Sequence, residues 1–424
     1  MAETPDTVLP PKDRMGALDP WRIPNYRYLW LSNFAFYFAR WMEQLVSGWL
    51  AWQLTHSPSD VALIGFFRTM PMLVLSVGSG VLSDRVERRK LVMATQVGNM
   101  AAALALFALY SLGQLQYWHL AVGTTAIGAA WAIEWPARRA LSMDTVGRSM
   151  LVRATMLDSL SHNLTRALGP FAGGVIIALA GGEKVYALLA LFYIGSLLAI
   201  RPLRTVLPER VGHASVWRNL GAGLAYARRN QAIMGVLVTT FVLNAFLFPY
   251  QQLLPVFADV VLHVDAVGLG LLGAADGIGS LVAALVIMSR GDVRRTGWFF
   301  ISGAFGMSVF ILLFSASQWY GVSLSLLILG GITHIGFTAM QSTIILSSSS
   351  EEMRGRSMGT LLLAIGSQPI GTLIMGGVAA AAGVAVAVGS GGLICVVSTA
   401  AIAALAPRLR EHSIGESKPA RAPS

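Results

Sequence analysis

Gly80-Val-Leu-Ser-Asp84-Arg85-Val-Glu87-Arg88-Arg89-Lys90 separates two apolar runs, 60–82 and 91–111. A helix crosses the bilayer with about 20 apolar residues, so each run predicts a span and the basic stretch predicts a short loop joining them. The same pattern continues in both directions. Hydropathy places further spans at about 28–54, 117–137, 157–180, 184–200, 232–257, 266–288, 297–317, 319–346, 357–382 and 384–406. The last boundary is the faintest, because no polar residue interrupts the run from Gly376 to Gly392. Two spans are read there because the run is too long for one.

Twelve spans must place their basic residues on alternate sides, since Lys and Arg are retained in cytoplasmic loops. Of 31 Lys and Arg, 27 fall in the tails and even-numbered loops. The odd-numbered loops hold only Lys184, and Arg40, Arg68 and Arg166 lie within spans. An error of one span would invert half of this map. The expected architecture is therefore an all-α membrane protein of twelve helices with both termini cytoplasmic. The composition agrees, with 55% hydrophobic and 12% charged residues among 424 and a mean hydropathy of +0.62. Soluble domains carry roughly a quarter charged residues. The net charge of +10 is spread over loops and forms no patch of the kind that binds nucleic acid.

The longest connection, 201–231, divides the chain near its middle. The organisation read from this is a tail at 1–27, a six-helix bundle at 28–200, a linker at 201–231, a second six-helix bundle at 232–406 and a tail at 407–424. The N-tail has no apolar run, so no cleavable signal peptide is expected. Trp217, Leu220 and Leu224 recur at helical spacing in the linker, which suits a short amphipathic helix on an anionic membrane surface or an ordinary solvated one. Between the halves a weak repeat is visible. Asn33, Tyr37, Arg40 and Gln44 share one face of the first span, and Asn244, Phe248, Gln251 and Pro255 repeat that spacing in the seventh. Asn33, Tyr37, Arg40, Gln44, Asn244 and Gln251, with Arg68, are the candidates for lining a substrate cavity.

The loop quoted first resembles the signature of the major facilitator superfamily, with Glu87 standing where a second glycine is usual. That resemblance implies a cytoplasmic gate built on Gly80, Asp84, Arg85, Arg88 and Arg89. The fifth span carries Thr165-Arg166-Ala-Leu-Gly169-Pro170-Phe-Ala-Gly173-Gly174, which resembles the antiporter motif of the same superfamily with Thr165 in place of its first glycine. Physically, Gly169, Gly173 and Gly174 allow close helix packing and Pro170 bends the span; the family resemblance adds proton-driven export. Trp41-Met42, Pro136-Ala137-Arg138-Arg139, Asn163 to Arg166 and Arg354-Gly355-Arg356, in that order, are similar to the bacterial branch that includes enterobactin and macrolide exporters.

Ionisable residues inside a span cost a few kcal/mol unless paired or hydrated. Arg40 and Glu43 lie three residues apart and are expected to pair. Asp276 has no basic residue within its own span and reads as an unpaired carboxylate that favours its neutral form. Glu43, Asp276 and Glu134 are the candidates for proton coupling, with Glu134 and Asp158 expected to contact interfacial water or the adjacent arginines. Arg166 is expected to anchor a helix contact. His334 reads as a proton carrier or a satisfied core residue. Cys395 is the single cysteine and excludes a disulfide framework. Phosphate-binding loops, zinc spacings and hydrolase elbows are missing from the sequence, so no cofactor, metal or enzymatic activity is expected.

The implied function is efflux of an amphipathic small molecule, a drug or siderophore-like metabolite, by proton antiport across a bacterial inner membrane. The expected partners are that small molecule, protons and the lipid bilayer, the protein being a monomer that binds no nucleic acid. A nutrient importer or facilitator, or a lysophospholipid flippase, would share the fold.

Overall fold

The computed structural model describes residues 18–203, 216–290 and 295–413, without the side chains of 76–85, 148, 216–219, 288 and 290. The helices are α1 Pro24–Thr55, α2 Pro58–Arg85, α3 Arg88–Ser111, α4 Tyr117–Ala180, α5 Gly182–Ile200, α6 Val216–Arg229, α7 Gln231–Val242, α8 Tyr250–Val260, α9 Ala266–Arg290, α10 Thr296–Ser315, α11 Tyr320–Ser348, α12 Arg354–Ile365, α13 Gln368–Ala382, α14 Val384–Leu405 and α15 Pro407–Arg410. Ten segments among the described residues are long and apolar enough to cross a membrane. With α1 and the first part of α4 they make the twelve-helix, two-bundle fold expected from the sequence. The end of the bundle that carries the start of α1, α6 and α15 is called here the linker face, and the opposite end the far face.

Two spans are joined and two others are interrupted. The fourth and fifth spans run together as α4, so that the stretch read as the loop 138–156 is helical. Its one break is Gly147, at φ 69° and ψ 174°, a conformation essentially restricted to glycine. Between α7 and α8 a π-turn covers Leu243–Leu247, with the Phe248 N–H donating to the Leu243 carbonyl at 2.9 Å. Pro249 follows and brings no N–H, so a regular helix could not continue its ladder there. The eleventh span breaks between α12 and α13, where Ser367 Oγ donates to the Phe241 carbonyl at 3.2 Å.

The two halves show their relationship in the backbone. His56 ends α1 at φ 49° and His263, 207 residues on, follows α8 at φ 50°. Gly181 separates α4 from α5 at φ 90° and ψ 156°, and Gly383 separates α13 from α14 at φ 92° and ψ 155°. Gly383 is thus the boundary in the polar-free run from Gly376 to Gly392. A residue with a Cβ could not make that turn without strain.

On the far-face side the halves touch closely. A Cβ on Gly174 would lie 2.3 Å from the Ala266 carbonyl oxygen and 2.7 Å from the Gly270 Cα. On the other side of the seam a Cβ on Gly376 would lie 2.2 Å from the Ala62 Cβ. Small residues therefore let α4 cross α9, and α2 cross α13, at backbone distance. The linker helix α6 packs on the second half. A Cβ on Gly223 would stand 2.6 Å from the Arg356 carbonyl oxygen, and Asn230 caps α7 while its amide donates to the Ser348 carbonyl at 3.1 Å. Its docked side meets helix α12, a partner that its amphipathic spacing alone did not name.

Candidate functional site: the charged seam between the halves

The residues that carry charge inside the spans fall into three groups. In the first, Arg166 of α4 and Asp276 of α9 form an ion pair across the seam. His334 of α11 completes it, with Nδ1 2.9 Å from Arg166 Nη2 and 3.1 Å from Asp276 Oδ1. A bare Nδ1 accepts from the guanidinium, whereas a protonated one donates to the carboxylate. The guanidinium lies 5.4 Å from the Trp41 ring centre, and Phe248 lies 5.2 Å from His334. Asp276 is thus not the unpaired carboxylate its own span suggested. Its partners come from two other helices, 110 and 58 positions away in the chain.

The second group joins α1 and α2. Glu43, fully buried, accepts from Arg40 Nη1 at 3.4 Å and has Arg68 Nη1 at 4.0 Å. Arg68 also donates to the Gln44 carbonyl at 3.3 Å, to Ser47 Oγ at 3.4 Å and to Gln252 Oε1 of α8. Gln252 in turn donates to the Val61 carbonyl at 3.2 Å. Gln44 Nε2 meets Gln251 Oε1 at 3.4 Å, so the polar faces read from the first and seventh spans do touch at these two positions. Near the far face, Trp52 Nε1 donates to Asp259 Oδ2 at 2.8 Å. Gly48 makes room for this approach, since a Cβ there would lie 3.3 Å from Pro255 Cγ.

The third group lies inside the first half. Glu134 Oε1 accepts from Arg138 Nε at 2.5 Å and Gln96 Nε2 at 2.6 Å, and Oε2 accepts from Thr95 at 3.0 Å. Arg138 Nη1 donates to Asn33 Oδ1 at 2.6 Å and to Ser32 Oγ at 3.0 Å. Asn33 Nδ2 donates to Asp158 at 3.3 Å. Glu134 meets the adjacent Arg138, one of the two kinds of partner expected for it, and is sealed with both oxygens engaged. Two expectations change here. Arg138, read as a loop cation, is 2% exposed. Asn33, read as cavity-lining, is a buried link between Arg138 and Asp158. The spacing of four between Glu134 and Arg138 was the available signal for the pair.

Asn244, also read as cavity-lining, is buried and donates to the Thr240 carbonyl of its own helix at 2.8 Å. Tyr37 stands between Phe36, Trp131 and His162, with the His162 ring edge-on at 5.0 Å. A cavity of about 30 Å³ lies on the seam, lined by Trp41, Gln44, Arg166 and Pro170 from the first half and Tyr250, Gln251 and Asp276 from the second. That is room for about one or two waters. Of the antiporter-like motif, Gly169 and Gly173 pack against α1, where a Cβ on each would lie 2.9 Å from Trp41 Cβ and 3.1 Å from Met42 Cγ. Gly174 and Pro170 face α9.

Of the gate residues, Arg88 Nη1 pairs with Asp144 Oδ2 at 2.6 Å, and Arg89 Nη2 donates to the Arg201 carbonyl at 2.5 Å. The loop therefore clasps α4 and the end of α5. The side chains of Gly80, Asp84 and Arg85 lie outside the described residues.

Residues 15–423 match the family described as transmembrane secretion effector. A staphyloferrin A transporter of Staphylococcus aureus is 22% identical over 82% of this chain and 88% of its own length. The enterobactin exporter EntS of Shigella boydii is 26% identical over 77% of this chain and 78% of its own. Among solved structures, a POT family transporter bound to a thioalcohol-conjugated peptide superposes with a TM-score of 0.72 at 11% identity, covering 91% of this chain and 96% of that one. A bacterial homologue of the lysosomal transporter Spinster gives 0.65 at 14% identity, covering 91% and 98%. These likenesses of structure concern the fold alone. The family match spans nearly the whole chain, and its relatives are transporters and not enzymes: the chain is a multi-pass membrane protein belonging to the transmembrane secretion effector family of the major facilitator superfamily.

Proposed function

We propose that the protein exports an amphipathic small molecule, siderophore-like or drug-like, from a bacterial cytoplasm in exchange for protons, by alternating access, with both termini cytoplasmic. The carrying observation is the ionisable tie of Arg166, Asp276 and His334 on the seam, in which Arg166 comes from the span that bears the antiporter-like motif. The names of the staphyloferrin A transporter and the enterobactin exporter support the substrate class, and the alternation of basic residues supports the orientation.

In this reading the far face is periplasmic and closed, and the cleft opens toward the cytoplasm. A substrate that engages Arg166 loosens its hold on Asp276, so the seam can part on the far side. Once the substrate has left, a proton neutralises Asp276. Reforming the pair with Arg166 on closure expels that proton to the cytoplasm, which couples one movement to the other. Glu43 is the second carboxylate placed to do this, through its pairs with Arg40 and Arg68.

The test is a proteoliposome assay with an imposed pH gradient, comparing catecholate siderophores, macrolides and cationic drugs. Gradient-driven accumulation of one of them is expected in wild type. It should be lost in Asp276→Asn or in Glu43→Gln, with gradient-independent exchange retained. Intact gradient-driven transport in both variants would refute the coupling assignment. Uptake in the direction opposite to export in energised cells would refute the direction.

A further inference from the structure

Helices α1 and α2 of the first half carry an imbalance of charge, two arginines to one carboxylate, that proton coupling through Glu43 does not account for. Arg40 and Arg68 share one carboxylate, Glu43. The two arginines differ in what else they hold. Arg68 is 4% exposed and bonded to Gln44, Ser47 and Gln252. Arg40 is 12% exposed, and its Nη1 bond to Glu43 is its one hydrogen bond among the described residues. A guanidinium offers five N–H groups in a planar fork, so Arg40 keeps donors for a guest.

Which charge the site can take follows from what is reachable. Glu43 is fully buried and paired with both arginines, so a bulky cationic guest does not reach it. Arg40 lies with its guanidinium carbon 5.3 Å from the ring centre of Trp131, and Trp131 stacks on Trp135 at 5.9 Å with an interplanar angle of 12°. Farther toward the linker face, Arg139 covers Trp135 at 4.9 Å. Arg40, Arg139 and Arg166 all lie within electrostatic reach of His162, whose ring is edge-on to Tyr37 and Trp41. The partly exposed carboxylate on this wall, Asp158, is held by Asn33 and Ser142, with Arg138 and Arg139 near it.

We infer that the substrate is an anion with a flat, apolar body: a carboxylate or an equivalent negative group binds the free edge of Arg40, and the body lies along the half-buried Trp131 and His162 rings. Arginine is the residue that recognises a planar carboxylate through paired N–H groups. An aromatic wall adds contact area with a face that already attracts cations, so the guanidinium stays fixed over Trp131 while the guest arrives. This inference names the substrate class within the transport reading above and rests on it.

The full chain in lipid nanodiscs can be tested by equilibrium dialysis at pH 7.5 with three radiolabelled probes of one shape: 1-naphthoate, 1-naphthamide and 1-naphthylmethylamine. Binding is counted above protein-free nanodiscs. Naphthoate is expected to bind about tenfold or more tightly than the other two, the size of a charge-assisted hydrogen bond. Arg40→Gln should erase the preference and Arg40→Lys should restore part of it. Naphthoate binding no tighter than the amide or the amine, or absent, overturns the inference even if the Arg40 variants fail to fold. So does an acid-to-amide ratio unchanged in a folded Arg40→Gln. The measurement needs no gradient, so it separates from the transport reading. Acid preference without export would leave the anion site standing, and export of cations without acid preference would remove it alone.

Discussion

Arg166 and Asp276, from opposite halves of the chain, are ion-paired on the seam with His334 bonded to both. A buried pair of this kind adds little net stability, because desolvating two charges offsets their attraction. Breaking it by removing one partner is costly, since the other charge is left buried alone. The arrangement therefore suits a contact that must be made and released.

The stability of Asp276→Asn should fall well below that of wild type, by up to about 3–5 kcal/mol where Arg166 stays enclosed. The double variant Arg166→Gln with Asp276→Asn should regain much of the loss. Thermal unfolding in detergent reports both. Equal losses in the single and double variants would mean that the two residues do not depend on one another.

Trp52 and Asp259 hold the far ends of α1 and α8 together through one hydrogen bond of 2.8 Å. Trp52→Phe removes the donor while keeping most of the ring. A loss of about 1–2 kcal/mol would move the equilibrium toward the far-open state by roughly five- to thirtyfold. A cysteine placed at Leu254, beside the seam cavity, in a Cys395→Ala background would report this as faster maleimide labelling from the far face. Unchanged labelling would show that the bond does not control closure.

How much of this was visible beforehand depends on whether the signal lay within one helix or between helices. Span limits are set by apolar length, so hydropathy located most of them, with the break between 382 and 384 falling on Gly383, but it ended the fourth span where α4 in fact continues. The faces of α1 and α8 follow helical spacing, and Gln44 and Gln251 do meet. What one sequence lacks is the partner of a residue on another helix. Asp276 seemed unpaired because Arg166 and His334 lie on α4 and α11, and Arg138 was read as a loop cation because α4 continues past the expected end of its span. Gln252, His162 and Trp131 carried no mark that set them apart from neighbouring polar and aromatic residues.

At the crossing of α4 and α9, a methyl group on Gly174 would meet the Ala266 carbonyl oxygen at 2.3 Å. Gly174→Ala should therefore push the halves apart on the far side at a cost of about 1–3 kcal/mol, the usual range for an overpacked contact. Labelling at position 254 should rise as in Trp52→Phe, while transport falls. Gly195→Ala is the control, because a Cβ there meets nothing within 4 Å. Equal behaviour of the two variants would show that the close approach is not required for closure.

The C-terminal segment offers a pH-dependent contact outside the spans. The His412 carbonyl accepts from the Gly297 N–H at 3.0 Å, and its ring nitrogens lie 2.8 Å from Thr296 Oγ1 and 3.2 Å from Ser347 Oγ. Partial burial lowers the His412 pKa below its ordinary value of 6.5. The docked state thus prefers the neutral ring, and the undocked state takes up a proton more readily. Docking is fully favourable above about pH 6.5 and weakens as pH falls from there through the lowered pKa. Amide hydrogen exchange across 405–413, corrected for intrinsic rates, should therefore be slow at pH 7.5 and faster at pH 5.5. In His412→Gln, which has no titrating ring, the corrected rates at the two pH values should be alike. A wild-type segment equally protected at both would show that the ring does not govern docking.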